Sequence, residues 1–167
     1  HDQGHPIRFF ARDPCDGFRL DPFALEAALG HDTRVVILSR PHNPSGVDVP
    51  EATLARLGEL AEVHDLPVIV DEVYLDFLPA RRPAFLIHPR LVSTCSLTKV
   101  YGLSALRAGW VAATPDLIQR LARTRLHAEV LLPRLPLQLA VASIDHLDAW
   151  RDQARQASRA AGDRLYE

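Results

Sequence analysis

Methionine is missing from the sequence altogether, including from its first position, which is His1. A charged-then-apolar leader and a cleavage signature are missing from that end too, so the chain reads as a segment of a longer protein. Cysteine is scarce. Cys15 and Cys95 stand far apart with no metal-ligand or redox spacing, which excludes a disulfide-stapled scaffold and makes a reduced, cytoplasmic setting the expectation. Long hydrophobic runs are absent as well; stretches such as 67–70 are strand-sized, far short of the roughly 20 apolar residues that span a bilayer, and no membrane role is expected. Charge of one sign is not in excess, with 19 Lys plus Arg against 21 Asp plus Glu. Without a broad basic field, nucleic acid is not an expected partner. The last scarcity is the most informative: Lys99 is the one lysine among those 19 basic residues. Where guanidinium has replaced ammonium almost everywhere, a surviving amine invites the question of what it does that arginine cannot.

What is present is ordinary for a folded domain. The 167 residues are 47% hydrophobic and 24% charged, with no low-complexity tract, enough to enclose a core without metal or disulfide. Apolar periodicity switches repeatedly between helix and strand. Asp21-Pro22, followed by Phe23, Leu25, Ala28 and Leu29 and then Gly30, predicts a short capped helix. Residues 34–38 predict a strand. Pro50 opens a second helix carrying Leu54, Leu57, Leu60, Ala61 and His64, and residues 67–70 predict a second strand that delivers Asp71. Strands are expected at 91–96 and 108–113, and Thr114-Pro115-Asp116 starts a helix with Leu117, Ile118, Leu121 and Ala122. From Leu137 onward the pattern predicts one long helix. The fold class expected is α/β: three layers, a mostly parallel sheet with helices on both faces.

In open α/β sheets, ligands gather where strands end. The residues just past the predicted strands are unusually polar: Pro41-His-Asn-Pro-Ser-Gly46 after the first, Asp71-Glu-Val-Tyr74 after the second, Ser96-Leu-Thr-Lys99 and then Tyr101 to Arg107 after the third. Chemistry gives each type a use. An amine that can shed its proton can form a Schiff base with an aldehyde, whereas a guanidinium stays charged. A carboxylate at the end of an apolar strand calls for a positive partner. A hydroxyl and a planar guanidinium make two halves of a phosphate anchor. Each also has a plain reading. Lys99 could be a surface amine, Asp71 a helix cap or surface ion pair, Tyr74 the edge of a core. Asn-Pro-Ser-Gly is by itself a turn signal, and any one of 18 arginines is usually a solvated charge.

Together, Asn43-Pro44-Ser45-Gly46, Asp71-Glu72-Val73-Tyr74 and Ser96-Leu97-Thr98-Lys99, with Arg107 eight positions beyond the lysine, resemble the pyridoxal-phosphate aminotransferases of classes I and II. This is the fold type I family that includes aspartate aminotransferase, and the resemblance spans roughly residues 20 to 165. It implies pyridoxal 5'-phosphate as cofactor, joined to Lys99 as a Schiff base, with Lys99 then moving the substrate proton. It implies Asp71 on the pyridinium nitrogen, Tyr74 and Asn43 on the phenolic oxygen, and Ser96 and Arg107 on the phosphate. Asn43-Pro44 becomes a candidate cis bond. Lys99, Asp71 and Tyr74 are thus the expected catalytic residues, and no metal site is expected.

The resemblance further implies that residues 1–135 are part of an incomplete large, cofactor-binding domain, and that residues 136–167 begin a long helix leading to a C-terminal small domain. The family's upstream phosphate loop, its ring-stacking aromatic and its carboxylate-gripping arginine have no match in order here, so the segment alone is expected to be inactive. Amino acid and 2-oxo acid substrates and a homodimer of the full-length protein are the implied partners. The same motifs would serve a β-lyase, a decarboxylase, or an aminotransferase-like sensor domain of a transcription regulator.

Overall fold

The computed structural model describes residues 4, 6–79, 81–127 and 134–164, and the side chains of residues 125–127 lie outside the description. Helix α1, Pro22–Ala28, starts where the sequence predicts it: the Asp21 carboxylate accepts the Phe23 N–H at 2.9 Å, and proline follows at the first helical position. Strand β1 is Val36–Ser39, helix α2 Glu51–Val63, strand β2 Val68–Asp71, strand β3 Leu91–Ser96 and strand β4 Gly109–Ala112. Helices α3 (Pro115–His127), α4 (Arg134–Ala142) and α5 (Leu147–Asp163) follow.

The four strands form one sheet in the order β1-β2-β3-β4, flanked by helices. β1, β2 and β3 run parallel, with Ser39 beside Asp71 and Asp71 beside Thr94. β4 runs antiparallel to β3. The reason lies in the connection: residues 97–108 hold only turns, including a 3-10 turn at Ser104–Leu106, and a parallel return would need a crossover element, usually a helix.

Helix α2 supplies most of the core. Leu54, Leu57 and Ala61, spaced by three and four, are buried with Val68 and Val70 of β2 and Leu91 of β3, and Leu25, Val49 and Ala84 close the cluster. Each such leucine contributes about 2 kcal/mol by leaving water. The polar residues at the far end of the sheet rest on this support.

One expectation changes. Instead of a single long helix from Leu137, the chain forms α4, a break at Ser143, a 3-10 turn at Ile144–His146 and then α5. Ser143 explains the break. Its Oγ donates to the Leu139 carbonyl at 2.7 Å, while its N–H is shared between Leu139 O at 3.0 Å and Ala140 O at 3.2 Å. A hydroxyl bonding back into the preceding turn competes with continuation and bends helices.

Candidate active site

The carboxyl ends of β1, β2 and β3 open into three loops, and every polar residue singled out from the sequence stands in or beside them. Asp71 closes β2. It is exposed, and its Oδ1 accepts the Val73 N–H at 3.1 Å, which fixes the carboxylate in a local turn and leaves Oδ2 for a further donor. Tyr74 begins the 3-10 turn Leu75–Phe77 and stacks on Phe77, with ring centroids 6.5 Å apart.

Asn43 lies in the loop after β1. Its N–H donates to Ser39 Oγ at 3.0 Å, and the loop is closed by Gly46 N–H to His42 O at 2.7 Å and His42 N–H to Val47 O at 2.8 Å. The Asn43–Pro44 bond is cis, and so is Arg40–Pro41. The His42 ring holds Ser45 Oγ at 2.7 Å, and partial burial, with the Arg12 charge nearby, lowers its pKa. The side-chain amide of Asn43 stays exposed.

Ser96, Lys99 and Arg107 belong to one connection. Ser96 ends β3, and its Oγ shares a hydrogen bond of 2.7 Å with Thr98 Oγ1. Three residues on, Lys99 is exposed in a turn closed by Gly102 N–H to Lys99 O at 3.2 Å and Leu103 N–H to Leu97 O at 3.0 Å. Gly102 takes φ +70° there, a value that L side chains resist. Arg107 then adopts φ 49° immediately before β4. A non-glycine residue in the left-handed region is a strained choice of the kind that collects at functional positions. Because Ser96 pairs with Gly109 and Leu97 N–H bonds Ala108 O at 3.0 Å, the antiparallel ladder brings Arg107 back alongside the residues after Ser96. A Cβ on Gly109 would meet the Cys95 carbonyl at 2.6 Å, so this close return requires glycine.

Among the described residues, no side-chain hydrogen bond or ion pair engages the Lys99 amine, the Arg107 guanidinium or the Asn43 amide. A carboxylate, an amine, a guanidinium and two hydroxyls that do not neutralise one another therefore share one end of the sheet. Such a donor set fits a ligand with a cationic ring nitrogen, an aldehyde and a phosphate. Among the described residues, no group of three or more His, Cys, Asp or Glu side chains is placed to hold a metal ion. A separate cavity of about 300 Å³, lined by Leu29, His31, Arg34, His64 and Asp65, lies near the amino ends of β1 and β2 and touches none of these groups.

The opposite face of the same strand ends carries residues that sequence reasoning did not single out. Arg40 is fully buried, and Glu72 is 2% exposed. Arg40 Nε donates to Asp48 at 3.0 Å, and its Nη1 donates to Glu72 Oε1 at 3.3 Å and to the Arg82 carbonyl at 2.8 Å. Glu72 Oε1 also accepts the Ala84 N–H at 2.9 Å. Burial pushes the Glu72 pKa up, against the opposing pull of Ser93, the Ala84 N–H and Arg40. The signal for Glu72 was available: it continues the alternation Val68, Val70, Glu72 that points into the core. Arg40 had none, being one arginine among many. Cys95 is also turned inward, its thiol pushed up to about 12 chiefly by burial, and its sulfur approaches the Glu72 carbonyl at 3.6 Å.

The family model described as aminotransferase class I and II matches residues 2–166. The chain is 33% identical over 156 residues to the probable N-succinyldiaminopimelate aminotransferase of Mycobacterium tuberculosis, covering 89% of this chain and 39% of that protein. It is 32% identical over 151 residues to capreomycidine synthase of Streptomyces vinaceus, covering 87% of this chain and 38% of that protein. The solved N-succinyldiaminopimelate aminotransferase from M. tuberculosis superposes with a TM-score of 0.76 at 32% identity, over 89% of this chain and 40% of that one. Aspartate aminotransferase from Thermus thermophilus, solved with maleate, gives a TM-score of 0.80 at 22% identity, over 90% of this chain and 41% of that one, and shares the fold.

The chain belongs to the class I and II aminotransferases, a family of pyridoxal-phosphate-dependent enzymes, and has its fold type I architecture. It spans about two fifths of the length of the curated relatives it matches. Among the described residues, no helix is long and apolar enough to cross a membrane.

Proposed function

We propose that this chain is the cofactor-facing middle of a pyridoxal 5'-phosphate-dependent aminotransferase, moving an amino group between an amino acid and a 2-oxo acid. The observation that carries the reading is that Asp71, Ser96, Lys99 and Arg107, none of them ion-paired among the described residues, share the carboxyl end of one sheet. When bound, the cofactor supplies an aldehyde that takes up amines and a ring that accepts the electron pair released at the substrate α-carbon.

The chain's own residues do the rest. Ser96 Oγ and the Arg107 fork would hold the phosphate, the guanidinium by two charge-assisted bonds. Asp71 Oδ2 would keep a proton on the ring nitrogen, with Oδ1 tied to Val73 N–H so that the carboxylate cannot swing away. Tyr74 OH and the Asn43 amide would donate to the phenolic oxygen and stabilise its negative charge. The Lys99 amine would hold the aldehyde carbon, and the same amine would carry the substrate α-proton. In this reading residues 1–135 contribute to the cofactor-binding domain and residues 136–167 lead toward a second one. The working enzyme is then a cytoplasmic homodimer.

The test uses the full-length protein. Added cofactor should produce a visible band, and reduction with borohydride followed by peptide mapping should leave the label on Lys99. Label on another residue, or an unchanged band in Lys99→Ala, would overturn the proposal. A different reaction of the same cofactor is the second reading, favoured by the relative named capreomycidine synthase, whose name is not that of an aminotransferase. Product analysis with amino acid and 2-oxo acid pairs separates the two.

A further inference from the structure

Two of the three site loops are joined by a side-chain bond that the proposed chemistry does not use. Tyr101, two residues past Lys99, donates its hydroxyl proton to Asp76 Oδ2, and Asp76 lies two residues past Tyr74. Tyr101 is half-buried in this contact, and desolvation together with the Asp76 charge pushes its phenol pKa up, so the hydroxyl stays a donor. The same short turn is held from a third direction. Arg155 of α5 donates Nε to the Asp76 carbonyl at 2.5 Å and Nη2 to the Leu78 carbonyl at 2.5 Å. The turn 75–77 with its cap Leu78 therefore receives one bond from the Lys99 loop and two from a helix nearly eighty residues away in the chain.

We propose that Tyr101 and Asp76 are positioning residues: their hydrogen bond sets where Lys99 stands relative to Tyr74, and Arg155 makes α5 part of the same rigid unit. Three observations carry this. The Lys99 side chain has no other tether among the described residues, so its placement rests on its own turn. Besides its bonds to Ser96 and Ala108 at the strand ends and the burial of Leu97 and Val100, the side-chain hydrogen bond that ties this turn to another site loop among the described residues is that of the Tyr101 hydroxyl. Tyr74, in turn, stands at the head of the segment that Asp76 and Arg155 fix. A shift of about 1 Å between a reacting amine and the groups around it can cost roughly a hundredfold in rate, so a strut between the two loops bears on turnover without touching any reacting atom.

The inference rests on the reading of Lys99 given above, and the experiment separates the two. In the full-length protein loaded with pyridoxal 5'-phosphate, Tyr101→Phe removes one oxygen atom. It should lower kcat by about tenfold, leave KM within about twofold, and reduce the induced circular dichroism of the visible band at equal cofactor occupancy, since that signal reports ring orientation. Asp76→Asn, which keeps an acceptor oxygen, should stay nearer the parent than Asp76→Ala. Arg155→Ala should move the same readouts in the same direction by a smaller factor. Unchanged kcat and dichroism in both Tyr101→Phe and Asp76→Ala would overturn the proposal. Loss of the melting transition in Tyr101→Phe would overturn it too, because the bond would then be holding up the fold rather than placing Lys99. A visible band that persists in Lys99→Ala would instead remove the underlying reading of the site.

Discussion

Asp71 and Glu72 are adjacent at the end of β2, yet one carboxylate is exposed with a single local bond to Val73 N–H, while the other is 2% exposed and bonded to Arg40 and the Ala84 N–H. The pleat explains the difference: successive side chains point to opposite faces, and only one face of this sheet carries α2 and its leucines. On the covered face charge must be matched, because an unpaired buried ion costs several kcal/mol. On the open face Asp71, Lys99 and Arg107 stay apart. The lesson is a division of labour between the faces, one holding the loops together and the other, in the proposed function, offering its charges to a ligand.

Replacing Asp71 by Ala should separate the two faces most sharply. Turnover by the full-length enzyme should fall about a thousandfold, within the range for a group acting directly on proton transfer and charge, while the melting temperature stays near the parent's, as for other surface positions. Glu72→Ala should do the reverse. It leaves Arg40 buried with Asp48 as its remaining carboxylate, a change on the order of 3 kcal/mol in stability, read by denaturant unfolding. If Asp71→Ala unfolds the protein and Glu72→Ala does not, the comparison is wrong.

Titration gives a finer test. Burial raises the Glu72 pKa above its ordinary value of 4.5, so the folded state binds that proton more tightly than the unfolded chain. The Glu72 contribution to unfolding free energy must then decline as pH climbs from the ordinary value through the raised one. Glu72→Gln should flatten that part of the stability profile, measured as the difference in melting temperature between the two proteins across that range. A parallel profile would show that Glu72 is not the titrating group. The smallest expected effect concerns the thiols. Iodoacetamide at pH 8.5 should modify exposed Cys15 and spare Cys95, whose thiol is pushed up to about 12; mass mapping of equal labelling at both would place Cys95 on the open face.

Much of this could be read before any coordinates. The α2 stripe, the Asp21 cap and the β-branched strand runs follow from spacing and composition, since local geometry dictates which side chains share a face. The motifs at 43–46, 71–74 and 96–99 were legible because strand ends are where such folds bind. The break at Ser143 was not, because a serine inside a helical pattern has no preferred fate until its hydroxyl finds the Leu139 carbonyl. Nor was the direction of β4, which depends on the turn-only connection after Lys99. Tyr101 and Asp76 are twenty-five residues apart in the chain, and nothing in either neighbourhood announces the other.

Residue types and their order thus decided the chemistry on offer: a solitary amine, a carboxylate after an apolar strand, a guanidinium among small neighbours, and the periodicities that make strands and helices of the rest. Which arginine is locked behind the site and which distant helix holds the turn after Tyr74 were decided by packing, because those outcomes depend on contacts between segments far apart in the chain that no local pattern encodes.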